Sequence, residues 1–501
     1  MGTLDEVKGL IKNPPKEYRS APFWGWNDRL QRENLGEQIE GFKKAGMGGF
    51  FIHSREGLET EYLSTEWMED VKFCVDKARE NDLELWIYDE DKWPSGAAGG
   101  KVSRVNPAEF TARALTMECG KAGELAVPAK LSTEEERIVT EDSDSLMCGG
   151  NRSVDENSMS GRNGGEGLAV EETMETEFLQ GIYVIQTEAD GRFIKRMKEY
   201  PTYEEAAGAC GVDEEILLLR QEISGKSEWY NGLMPPDNLN PESVKTFLKL
   251  THEHYEEVFG GSFPKEVKGF FTDEPNCCDF FSVFHEGRPW IPWSIGFTEY
   301  FIEKRGYDPQ EKLPYLFFDG EGAEKIRHDY WKTVAQRFEE SYMKQVYEWC
   351  DKRGLRTTGH ILYENDLGYQ TRVCGAAMPQ LRYLHNPGID LLGAQTDEYL
   401  TVKQCASVAH QYDRSMTISE AYGWTGWIFP LRNGWETGSS RLELRDVVSI
   451  LHCIPLLDAE SGTIHRFSTI RIPGGMTMIR WRIILVVWRC VFPRGSRCER
   501  C

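Results

Sequence analysis

Gly46-Met-Gly-Gly-Phe-Phe-Ile-His53 is the stretch on which the reading of the fold turns. Its glycines stop a helix. The apolar run that follows ends on a histidine, a side chain able to do chemistry. Upstream, residues 32–45 place Leu35, Ile39 and Phe42 at helical spacing, and the apolar run Ala21–Trp26 precedes them. Downstream comes a helical pattern over 65–81, then the run 83–88, which ends in Asp89-Glu90-Asp91. Strand-like run, amphipathic helix and strand-like run again are the βα units of a parallel sheet.

The alternation breaks at residue 107. Between 107 and 235 two β-like pieces, 111–117 and 178–186, flank a Ser-, Gly- and Glu-rich stretch, 132–175. That stretch has too few apolar side chains to build a core, and it is expected to be a disordered loop. The βα pattern resumes with a helix over 240–258 that opens on Asn240-Pro-Glu-Ser, and then the run 267–272. A helical region over 325–353 and the runs 357–363, 388–392 and 416–419 complete seven strands. The expected fold is therefore α/β: a (β/α)₈ TIM-barrel-like catalytic domain. Residues 1–106 hold strands one to three and 236–427 hold strands four to seven. Residues 107–235 are a β-rich, partly disordered insertion after strand three.

Strand eight should follow Trp427, but the composition changes there. Residues 428–501 are rich in Arg and contain no Lys, and their periodicity is poor. Loss of one base after the Trp427 codon accounts for this. Permissible codons in the restored frame give Trp-Asp-Phe-Pro-Phe and later Trp-Trp-Asn-Asp-Tyr-Asp. The tail is thus read as an aberrant frameshift product, with strand eight missing or scrambled. A nucleotide sequence with an unshifted frame shared by relatives overturns that reading.

The net charge of −23 excludes the polyanions, nucleic acid and anionic membrane, as partners. Thirteen scattered cysteines lack metal-ligand spacing and read as reduced thiols. The first fifteen residues have no apolar segment of the secretory kind, and no run is long enough to span a bilayer. The expected location is the cytoplasm. With 15 Trp, 20 Tyr and 24 Phe, aromatics are abundant, which suits sugar stacking as well as core filling.

Active sites of such barrels sit at the C-terminal strand ends. Glu274 ends strand four in Thr-Asp-Glu-Pro, and Glu420 ends strand seven in Met-Thr-Ile-Ser-Glu. Strand alternation turns Asp273 to the face opposite Glu274. Two carboxylates at strand ends are the equipment of glycoside hydrolysis, in which one protonates the leaving oxygen and the other is nucleophile or base. Tyr422 and Trp424 follow Glu420 as candidate sugar contacts. Glu364 ends strand five after His360 and Tyr363, and all three are candidate ligands for substrate. Asp89 and Glu90, with Asp91 and Trp93, form an acidic strand end that suits sugar hydroxyls, Ca²⁺ or a salt bridge to Lys92. His53 ends strand two. Trp24 and Trp26 flank Gly25 and read as a stacking platform or as core. The glycines at 96, 99 and 100 before Lys101 lack the full phosphate-loop spacing. Ten histidines show no clustering of the kind a metal-dependent hydrolase needs.

Three stretches carry a family likeness: Ala21-Pro-Phe-Trp-Gly-Trp-Asn27, Gly46 to His53, and Tyr88-Asp-Glu-Asp-Lys-Trp-Pro-Ser-Gly96. They resemble the α-L-rhamnosidase-like hydrolases of glycoside hydrolase family 106. Phe271-Thr-Asp-Glu-Pro275 and Ser419-Glu-Ala-Tyr-Gly423 extend the likeness over most of 18–427. The resemblance implies an exo-acting glycosidase with a barrel catalytic domain, an inverting reaction, Ca²⁺ as an optional ion, and β-sandwich domains downstream. Metal ligands are left unassigned, and no cofactor is required. Glu274 takes the general-acid role by analogy with strand-four acids, and Glu420 is its partner. Acids on strands four and seven suit a retaining enzyme instead. Carboxyl separation, about 5–5.5 Å against about 6.5–9.5 Å, decides between the two. The expected partner is an oligosaccharide or glycoside. The rival readings are a non-catalytic carbohydrate-binding protein or an inactive, truncated pseudoenzyme.

Overall fold

A computed structural model describes residues 9, 13–125, 177–277, 288–391, 399–421 and 450–452. The expected loop 132–175, Tyr422, Trp424 and the tail apart from 450–452 lie outside the described residues.

The strands, in chain order, begin with β1 (Ala21–Trp26), β2 (Gly49–Ser54) and β3 (Glu84–Tyr88). Then come β4 (Arg113–Gly120), β5 (Glu177–Thr187), β6 (Ile194–Tyr200) and β7 (Glu215–Ile223). β8 (Val267–Asp273), β9 (Trp290–Trp293), β10 (Arg356–His360), β11 (Asn386–Leu391), β12 (Ile418–Ala421) and β13 (Ile450–His452) follow. Seven of them, β1, β2, β3, β8, β10, β11 and β12, pair in that order as one curled parallel sheet. The gap between β1 and β12 is bridged by β13, which runs antiparallel to both. The described residues therefore show seven parallel strands and no eighth, so a complete (β/α)₈ barrel is not shown by them. A separate antiparallel sheet has the order β6-β5-β7-β4-β9. β9 lies beyond 107–235 in sequence yet pairs with β4, so this sheet draws on residues outside the expected insertion.

Local signals place the helices. Ser64 caps Thr65–Glu80 by accepting from the Trp67 amide, and Trp67, Val71, Cys74, Val75 and Ala78 form its buried face. Asn240 caps the next expected helix by accepting from the Glu242 amide, with Pro241 at its first position. No described helix is long and apolar enough to cross a membrane.

Period-two alternation sorts the strand side chains between two cores. Ala21, Phe23, Phe51, Trp86, Tyr88, Phe271 and Ile418 form one cluster inside the curl. Their neighbours Trp24, Trp26, Phe50, Ile52, Leu85, Ile87 and Phe270 belong to the larger core shared with the helices. This corrects the reading of Trp24 and Trp26 as a sugar platform. Trp24 packs edge-on against Trp26, Phe42 and Phe50 and donates its indole N–H to Gln38 Oε1 at 2.7 Å. Trp26 packs on Trp67. Both are buried on the helix side of β1, because the register that turns Phe23 inward turns them outward.

Candidate functional site

The C-terminal ends of β8, β10, β11 and β12 converge on His360. Its ring is 1 % exposed and has carboxylates on both edges. Nε2 lies 2.9 Å from Glu420 Oε2 and 3.5 Å from Asp273 Oδ1. Nδ1 lies 3.7 Å from Glu274 Oε1. Register explains part of this: His360 is the β10 partner of Asp273 on β8, and Asp390 on β11 is the partner of Glu420 on β12. Gly359 permits the approach. Its φ is +149°, and a Cβ there would meet the Thr272 carbonyl oxygen at 1.9 Å.

The expectation that Asp273 and Glu274 face opposite ways fails for a backbone reason. β8 ends at Asp273, and Glu274 adopts φ +45°. That turn carries the second carboxyl back to the same imidazole. Two donors steady the pair. The Tyr88 hydroxyl donates to Asp273 Oδ2 at 2.6 Å, and the Trp93 indole donates to Glu274 Oε2 at 2.6 Å.

Burial dominates the electrostatics. Desolvation pushes Glu274 up to about 8; nearby Asp273 and Asp390 add to the rise, while His360 and the Trp93 hydrogen bond oppose it. Glu364 and Asp390 rise to about 8 and Asp273 to about 6, again chiefly by desolvation and against the pull of His360. For His360, burial opposes the charged form. The Glu420 hydrogen bond and the charges of Asp273 and Asp390 outweigh it, and its pKa stands well above the ordinary value. Several buried polar atoms here lack a hydrogen-bond partner: His360 Nδ1, Glu364 Oε2 and Asp390 Oδ1. Unsatisfied buried polar atoms are uncommon and point to water or a ligand as the missing partner.

The acidic end of β3 is arranged differently. Glu90 accepts backbone N–H groups from Asp91, Gly96, Ala97, Ala98 and Gly99. It is 2 % exposed, and it organises the 94–100 loop rather than reaching for substrate. Asp89 accepts from Ser95 Oγ, and Asp91 from Ser54 Oγ and Asn231. Each of the three acids thus has protein donors of its own, and Asp89 Oδ2 is left without a hydrogen-bond partner. His53 is buried inside the curl and stacks on Tyr88 with ring centroids 3.4 Å apart. Tyr363 packs on Tyr369 beside Glu364.

The fold is similar to that of a rhamnosidase. The structure of rhamnosidase from Novosphingobium sp. PP1Y aligns with a TM-score of 0.51 at 14% identity. The alignment covers 83% of this chain and 53% of that one, so the chain spans about half the length of its neighbour. No family model and no curated protein matches the sequence. At this identity the likeness concerns the fold.

The structure thus brings together Asp273, Glu274, His360, Glu364 and Glu420 of the residues expected from sequence, with Trp93 in contact. Asp390 and Tyr88 were missed as site residues. Asp390 lies in the run 388–392 at an inward position, two residues from Gly388, and the signal was an acid inside an apolar run. Among the described residues, two sets of ligand atoms converge closely enough for an ion: Asp273, His360 and Glu420, and Glu274, His360 and Asp390. Each offers one nitrogen and two carboxylates. Ca²⁺ takes six to eight oxygens, so neither set fits the ion that the family resemblance implies.

Proposed function

We propose that this protein is a glycoside hydrolase, rhamnosidase-like and exo-acting, that works by two carboxylates. The observation that carries the reading is two carboxyls on opposite edges of one buried imidazole: Glu274 Oε1 lies 3.7 Å from His360 Nδ1, with its carboxyl pushed up to about 8, and Glu420 Oε2 lies 2.9 Å from His360 Nε2. At neutral pH Glu274 keeps its proton. Trp93 occupies Oε2, which leaves Oε1 to carry that proton. As the glycosidic C–O bond breaks, the proton passes to the leaving oxygen. Glu420 serves as nucleophile or as base for water, with His360 fixing its orientation. The other neutral carboxyls, Glu364 and Asp390, supply hydrogen bonds to sugar hydroxyls from an interior otherwise lined by aromatics.

A panel of aryl glycosides that includes α-L-rhamnoside tests this. Release of aglycone is expected, falling by about 10²-fold or more in Glu274→Gln and in Glu420→Gln. Retained turnover in both variants overturns the assignment. Sugar binding without release by a well-folded protein moves the reading to a carbohydrate-binding protein. NMR of the first-formed anomer distinguishes inversion from retention.

A further inference from the structure

Trp229 belongs to the loop after β7, in the second sheet, and none of the roles above uses it. It is 40% exposed, among the more exposed large apolar side chains described. Its indole N–H donates to the Trp93 carbonyl, and the two rings meet edge to face with centroids 6.4 Å apart. Trp93 in turn donates to Glu274. An exposed indole thus stands one residue away from the proposed acid, reached through two consecutive hydrogen bonds.

The loop holding it is fixed. The Ser227 hydroxyl accepts from the Trp229 amide at 3.2 Å. Asn231, at φ +57°, donates to Asp91 Oδ2 at 2.9 Å and to the Gly99 carbonyl at 3.1 Å. The Lys92 ammonium donates to Asn231 Oδ1 and lies 5.9 Å from the centre of the Trp229 ring. Five buried side chains of the curl's interior are aromatic, but Trp229 is exposed and joined to the rim of the site.

We propose that Trp229 is the platform on which the leaving group of the substrate stacks, so that the inserted sheet sets leaving-group specificity; this rests on the glycosidase reading. The chemistry follows from the acid. The atom that Glu274 protonates is bonded to the sugar on one side and to the leaving group on the other. The sugar enters the carboxyl cluster around His360, so the leaving group projects outward past Trp93. The ring it meets there is Trp229. A pyranose C–H face or an aryl ring suits an indole. The ligand class is therefore a glycoside whose leaving group is itself a ring.

Three substrates that share the sugar found by the aryl panel test this: a disaccharide, a 4-nitrophenyl glycoside and a glycosyl fluoride. The fluoride has no ring to stack. Trp229→Ala is expected to raise KM for the first two about tenfold, and by much less for the fluoride. Trp229→Phe keeps a ring but loses the N–H to Trp93, and it should restore most of the affinity. An equal loss on all three substrates overturns the proposal, as does a Phe variant as impaired as the Ala variant. Either result would mean that Trp229 acts only by holding Trp93. Unchanged KM values in Trp229→Ala overturn it as well. If the wild-type protein hydrolyses none of the panel, the glycosidase reading fails by itself. Calorimetric titration with the 4-nitrophenyl glycosides then decides: saturable binding lost in Trp229→Ala and kept in Trp229→Phe supports the platform, and no binding by the wild type overturns it.

Discussion

His360 is the residue around which the chemistry is built, and Glu274 is the one whose protonation state matters most. Two of its neighbours act on it in opposite directions. The nearby Asp273 charge disfavours the ionised form, and the Trp93 indole stabilises it. If Glu274 is the acid, kcat/KM should fall as pH rises through about 8, where the carboxyl loses its proton. Trp93→Phe removes a donor to the carboxylate, so the alkaline limb should move to higher pH. Asp273→Asn removes a like charge, so the limb should move to lower pH. A pH–rate profile for each variant checks both. Limbs that move together, or stay fixed in both, would place the titrating group elsewhere.

The loop over 94–100 is the element on which the acid's setting depends, and Glu90 is its anchor. One carboxylate receives five backbone N–H groups from residues 91 and 96–99. Ser95 stitches the loop to β8: its hydroxyl accepts from the Asp273 amide at 2.8 Å, and its own amide donates to the Asp273 carbonyl at 2.8 Å. Each buried N–H left without a partner costs about 1–3 kcal/mol. Glu90→Ala should therefore lower the unfolding free energy by at least about 3 kcal/mol, with a smaller loss in Glu90→Gln, which keeps a carbonyl oxygen. Chemical denaturation measures both. Equal stability of the Ala variant and the wild type would show that the loop holds itself. The sequence marked this loop as dense in charge. It could not show that the charge faces inward onto a backbone ring, because that depends on where residues 96–99 return in space.

The whole molecule concentrates raised carboxyls in its interior, and this sets how its stability responds to pH. Asp273 at about 6, Glu90 at about 7, and Glu274, Glu364 and Asp390 at about 8 all bind protons more tightly folded than unfolded. Between their ordinary values near 4 and these folded values, the folded state carries the excess protons. Their stabilising effect is present below that window and is lost as pH rises through it. Asp329, held down to about 2 mainly by Lys325 and Tyr307 against desolvation, acts the other way only in strong acid. Thermal unfolding should accordingly occur at a higher temperature near about pH 5 than near about pH 9. Glu364→Gln should flatten that dependence. A melting temperature that rises with pH across the window would contradict the buried-neutral reading of the cluster.

Seven strands in order, the helical stretches over 32–45, 65–81, 240–258 and 325–353, and the candidate acids were legible in the sequence, because alternation, capping and strand-end position are local properties. The helices Leu367–Cys374, Ala377–Leu381 and Leu400–Gln411 were not, because those segments carry such signals weakly. Asp390 was not, since an acid in the middle of an apolar run declares no face until its strand is in register. The outward turn of Trp24 and Trp26, the pairing of β9 with β4 and the approach of Trp229 to Trp93 likewise join residues far apart in sequence. The convergence of Glu274 and Asp273 on one imidazole came from a single positive φ at the end of β8. The sequence by itself determined which side chains stand at strand ends. Only the tertiary structure decided which of them meet, because meeting depends on sheet curl and register, and those are properties of distant pairings rather than of any local pattern.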